Sequence, residues 1–141
     1  MSAFDFASTM SDSTHMVAVG ASEQAITEVS NVLAVKIPTS LQQLLRWRDG
    51  GMFAKKRFII FSAGKGLHPD ETLIAANTDR DFKKTFLTIG RDSAFDFGFK
   101  ASDLQEPNPS IFSHFCETGE LVKVADSLTD WIKWAEEITS K

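Results

Sequence analysis

Ile37-Pro38-Thr39-Ser40-Leu41-Gln42-Gln43-Leu44-Leu45-Arg46-Trp47-Arg48-Asp49-Gly50-Gly51 decides the fold, because it brackets one short helix at both ends. Proline at a first helical position loses nothing, since the first N–H groups of a helix have no partner inside it. Gly50 reads as the opposite bracket, a residue free to turn left-handed just past the last turn. Leu41, Leu44 and Leu45 share one face, while Gln42, Gln43, Arg46 and Arg48 lie mostly elsewhere. Thr39 with Gln42 fits a capping box, so the helix is predicted to start within a residue or two of Pro38.

Working outward, Ser22 followed by Glu23 reads as a capped start, and Ala25, Ile26, Val29 and Leu33 recur at helical spacing behind it. Residues 1–21, with Phe4 and Phe6 as their bulky anchors before residue 16, read as a partly ordered lead-in to a single domain over 22–141. Downstream, Lys55-Lys56-Arg57 precede Phe58-Ile59-Ile60-Phe61, a run too short for a helix and read as a buried strand. Pro69-Asp70-Glu71 opens a short helix carrying Leu73 and Ile74, and polar residues 77–84 read as a loop.

Two hairpins follow. Residues 85–89 and 94–99 flank Gly90-Arg91-Asp92-Ser93, with Phe95, Phe97 and Phe99 on one face by alternation. Residues 111–116 and 121–125 flank Glu117-Thr118-Gly119-Glu120. Ser127 with Asp130 then caps a closing helix whose buried stripe is Leu128, Trp131, Ile132, Ala135 and Ile138, with Trp134 beside it. This order predicts an α+β fold: a mainly antiparallel, twisted sheet of five to six strands, with N-terminal helices and a C-terminal helix packed on it.

The composition narrows the function. Twelve Phe and three Trp with no Tyr favour core packing over polar-tipped binding surfaces. Residues 101–141 hold eight acids against three basic residues, which does not suit a binder of phosphate backbones and would suit a basic partner. A lone Cys116 forms no internal disulfide, and neither an export signal nor an apolar run of membrane length stands out. The expectation is a cytoplasmic protein.

The order of motifs from about Ile26 to Ile138 resembles the SUKH superfamily of bacterial toxin-immunity proteins and related fungal cell-wall-assembly regulators. Ile37-Pro38 and Asp49-Gly50-Gly51 match its landmark of Leu-Pro, a helix, and Asn-Gly-Gly. Leu87-Thr88-Ile89-Gly90-Arg91-Asp92 resembles its strand and turn before an aromatic-rich strand, and Val124 to Ile132, with Ser127, its entry to the last helix. Asp49 stands where asparagine is usual, Ala34 where glycine often follows, Leu128 where phenylalanine is usual, and Ser30 where the first helix commonly has glutamate.

The resemblance implies a non-catalytic binding protein, an antitoxin that occludes a cognate bacterial protein toxin such as a nuclease or deaminase. No cofactor is expected, and the charge and hydropathy pattern predicts no direct nucleic-acid contact and no membrane partner. The acidic final third adds a candidate toxin-binding set in loops, Asp103, Glu106, Glu117 and Glu120, which would steer a basic toxin by charge. One alternative is a regulatory or scaffolding protein of the same superfamily. The other is a small enzyme using His114 and Cys116, two apart on a strand, or Asp92 with Asp96. Two ligands make no metal site, and Gly64-Lys65-Gly66 lacks the spacing of a phosphate loop.

Overall fold

A computed structural model describes residues 20–64, 71–78, 85–115 and 117–139. The lead-in therefore lies outside the described residues except for Gly20 and Ala21, as do Lys65, Gly66, Pro69, Asp70 and Cys116. Helix α1 (Glu23–Leu33) starts where Ser22 caps it, the serine oxygen accepting from Ala25 N–H at 3.1 Å. It ends on Ala34 in the left-handed conformation, φ 55°. Helix α2 (Thr39–Trp47) buries Leu41, Leu44 and Leu45 as its spacing predicts. Arg46 donates to both carboxylate oxygens of Glu23 and to Gln42, tying α2 to the start of α1.

The brackets of α2 work differently from the sequence expectation. Pro38 stands one position outside the helix in an extended conformation. No capping box forms; Gln42 instead turns its amide back to donate to the Ile37 carbonyl at 2.7 Å. The helix ends on an extended Arg48. Gly50 is left-handed, φ 81°, but it serves the turn into the sheet, where a Cβ would press on the Ile60 carbonyl at 2.7 Å.

Asp49, buried beside that turn, accepts from the N–H groups of Ala63 and Gly64 at 2.6 and 3.0 Å. The Asp-Gly-Gly landmark is thus a joint between the end of α2 and the chain beyond the first hairpin.

Six strands run β1 (Gly51–Phe53), β2 (Phe58–Ile60), β3 (Phe86–Arg91), β4 (Asp96–Lys100), β5 (Ile111–Phe115) and β6 (Glu120–Ala125), neighbours in that order and all antiparallel. With the closing helix α4 (Leu128–Thr139), capped by Ser127 through Asp130 N–H at 3.1 Å, the fold is α+β. Strand β1 was not in the sequence reading. Its turn carries Ala54, Lys55 and Lys56 at φ 52°, 58° and 64°, and the Lys55-Lys56-Arg57 run is the tip of this hairpin. Glu136 of α4 accepts from Ala54 N–H at 3.2 Å and anchors the tip.

Under α4 the sheet presents an aromatic cluster: Phe97 and Phe58 contact both Trp131 and Trp134, and Phe53 meets Trp131 edge-on at 5.3 Å. Burying each such ring contributes on the order of 1.5–3 kcal/mol relative to leaving it exposed. Leu128, Trp131, Ile132 and Ala135 are buried as predicted. Ile138 is not, at 41% exposure. The last turn of α4 borders an open hollow lined by Arg57, Phe58, Asp92 and Ser93, which leaves Ile138 partly in solvent.

The short helix α3 (Leu73–Thr78) corrects the loop expectation at its first two residues, 77 and 78; residues 79–84 lie outside the described set. Strand β2 pairs with β3 only at Gly90 and Arg91, and Phe61 N–H reaches the Ile89 carbonyl one residue further. Asn77 takes over at Thr88. Its amide donates to the Thr88 carbonyl at 2.8 Å and accepts from the Thr88 N–H at 2.9 Å, as a neighbouring strand would. A third bond, to the Leu73 carbonyl, holds the side chain against its own helix.

Candidate functional site

The edge strand β6 and the turn before it form the most distinctive surface. Two N–H groups, of Thr118 and Gly119, converge on the Phe115 carbonyl, and Gly119 is left-handed at φ 75°. Glu120 N–H donates to the Thr118 hydroxyl. This tight turn leaves Glu117 and Glu120 exposed on either side of its tip. Among the described residues β6 has no strand on its outer side, and none of its residues is buried.

Beside the turn lies an apolar row. Phe95 and Phe115 are each 38% exposed with ring centroids 5.7 Å apart, and Val122 is 48% exposed. In register, Phe115 faces Glu120 and Ser113 faces Val122, so all three apolar side chains and Glu120 lie on the sheet face that carries Phe97. Alternation places Phe95 on the same face as Phe97 and Phe99, as the sequence predicts. Its exposure was not anticipated, because alternation gives a face and not the reach of the helix covering it.

Phe95 is also held in place. Asp92 Oδ1 accepts from the N–H groups of Ala94 and Phe95, both at 2.8 Å, so this carboxylate shapes the turn that presents the ring.

The four acids predicted from sequence fall into two pairs. Glu117 and Glu120 flank the β5–β6 turn, whereas Asp103 and Glu106 sit in the β4–β5 connection, where Leu104 is buried between them. The length of β5, about 13 Å at ~3.3 Å per residue, separates the pairs. They do not form one charged surface.

Of the residues predicted for catalysis, Cys116 lies outside the described residues and Asp92 Oδ1 holds its own turn. Asp96 and His114 oppose each other on β4 and β5, both buried, and His114 stacks on Phe86 at 5.3 Å. Among the described residues no three His, Cys, Asp or Glu gather as metal ligands, and no helix is long and apolar enough to cross a membrane. An open hollow of roughly 460 Å³ lies between α1 and the β4–β5 connection, lined by Leu33, Val35, Lys36 and Leu104 among others, with no acid–base pair in it.

Compared with known proteins, residues 20–134 match the sequence pattern of the SMI1 / KNR4 family (SUKH-1). The match spans all six strands and ends within α4. No curated protein matches the chain.

Proposed function

The chain belongs to the SMI1 / KNR4 family (SUKH-1), and on that premise we propose that it is an immunity protein that neutralises a cognate bacterial toxin. The superfamily includes immunity proteins, and its members generally act without catalysis. In this reading the protein works in the cytoplasm, binds a polymorphic or contact-delivered toxin such as a nuclease or deaminase, and blocks its active site or substrate groove. It performs no chemistry of its own.

The observation that carries this reading is the exposed row Phe95, Phe115 and Val122, bordered by Glu117 and Glu120 on a sheet edge that no further strand covers among the described residues. An apolar centre with a charged rim suits a protein partner: the rings lose water on contact and slow dissociation, while rim carboxylates speed the approach of a basic surface. Asp103 and Glu106, on the far side of β5, extend the negative field without touching the same contact.

The test is co-expression with the toxin domain encoded in the adjacent upstream reading frame. Growth rescue together with copurification is the expected result. Absence of both overturns the proposal, and a regulatory role without a toxin becomes the better reading. With the complex in hand, Glu117→Lys with Glu120→Lys slows association at low salt, and Phe115→Ala speeds dissociation.

A further inference from the structure

Three of the five large apolar side chains exposed among the described residues gather next to one sheet edge, and that edge is unevenly protected. At its far end β6 is guarded. The register slips between Phe112↔Lys123 and Ile111↔Ala125, which makes Val124 an extra, bulged residue, and Lys123 is pinned to Asp126 at 2.6 Å. Bulges and edge lysines are devices that stop strands from adding to a sheet. The near end, Glu120 to Val122, has neither.

We propose that Glu120–Val122 receives an extended segment of the toxin as a seventh strand, one with a basic residue opposite Glu120 and an apolar residue opposite Val122. This rests on the immunity reading and names how the partner is held. The preference follows from the register. Residues two apart share a face, so Glu120 and Val122 meet neighbouring same-face residues of an added strand. Val122 and Phe115 offer an apolar seat, and Glu120 and Glu117 stand together at one end and call for a cation there.

A second copy of this chain fits less well. Antiparallel pairing of β6 with itself carries the Glu117 and Glu120 end of one copy towards Asp126 of the other, with Lys123 already held by that aspartate. A basic segment meets no such conflict.

The test uses the full chain, isotopically labelled, and a capped octapeptide centred on Thr-Val-Val-Lys-Lys. The expected result is amide shifts and exchange protection confined to Glu120–Val122 and its neighbours. Affinity falls about tenfold in the Glu117→Lys, Glu120→Lys variant. It is lost when alternate peptide bonds of the probe are N-methylated or its lysines become glutamates. No shift in β6 at millimolar peptide, or equal binding of the N-methylated probe, overturns the proposal.

A chain that sediments as a dimer with β6 protected before any peptide is added also overturns it, in favour of self-pairing. Repeating the exchange experiment with the toxin separates the two readings. A bound toxin that leaves β6 unprotected refutes strand addition and spares the immunity function. A peptide that docks on β6 while the toxin is neither bound nor neutralised refutes the immunity function and spares the docking edge.

Discussion

Replacing Asn77 with alanine is expected to be among the most damaging single changes in this protein, though the residue is neither apolar nor part of the exposed site. Asn77 is fully buried and completes the edge of β3 where β2 has already turned away. Truncation leaves the Thr88 N–H and C=O without partners in a place water does not reach. Each orphaned group costs about 1–3 kcal/mol, so the pair amounts to about 4 kcal/mol, before any cavity is counted.

Against a total stability on the order of 5–15 kcal/mol this is a large fraction. At a urea slope of about 2 kcal/mol/M the midpoint drops by about 2 M. Equilibrium urea unfolding followed by tryptophan fluorescence reads the shift directly, since Trp131 lies in the core. Asn77→Asp sharpens the test: it keeps the acceptor for Thr88 N–H, loses both donated bonds, and recovers part of its loss in acid, when the protonated carboxyl can donate again. Val32→Ala, at an exposed site on α1, moves the midpoint little. A midpoint drop under about 0.5 M for Asn77→Ala, with the slope unchanged, would refute the strand-substitute reasoning.

Three further outcomes are expected. Ala34→Gly stabilises the protein by about 1 kcal/mol, because residue 34 is left-handed and an alanine there is strained; an unchanged or lower melting temperature counts against the account. Thr88→Val is neutral or stabilising by up to about 1 kcal/mol, because the buried Thr88 hydroxyl has no hydrogen-bond partner among the described residues, and a clear loss in urea would mean the hydroxyl is satisfied after all. The Arg46 hydrogen bonds hold the Glu23 carboxyl below its ordinary value of 4.5, so the stability they add is present above that pH and is lost as pH falls through the lowered value. Glu23→Gln should therefore lower the urea midpoint slightly at neutral pH, with the gap from the parent closing as the pH falls below 4.5; a gap that widens in acid contradicts the sign.

The helices were legible because their signals are local. Ser22 and Ser127 cap within three residues of themselves, and the leucines of α2 declare its buried face by spacing alone. Strand β1 was hidden because it is three residues long and its turn is built from Ala54, Lys55 and Lys56, without the glycine or asparagine that usually announces left-handed hairpin turns. Asn77 was hidden for another reason: the N–H and C=O it serves lie eleven residues away and are left over only because β2 is short.

At the candidate site, Glu117 and Glu120 were readable as turn acids. Their separation from Asp103 and Glu106 depends on where β5 begins and ends. The exposed phenylalanines look like core in the sequence, because hydrophobicity marks a face without saying how far a covering helix extends.

Asp49 has a bearing on grafting. Its two oxygens each take one N–H, from Ala63 and Gly64, and Gly64 eases this approach by lacking a Cβ, which would sit 3.0 Å from the carboxylate. An asparagine at this position would turn an NH2 group towards one of those donors. Replacing Asp49 with asparagine therefore needs a compensating change after β2. The two segments work as a unit, and a chimaera cut between them carries a mismatch wherever the graft does not supply an acceptor with two free oxygens.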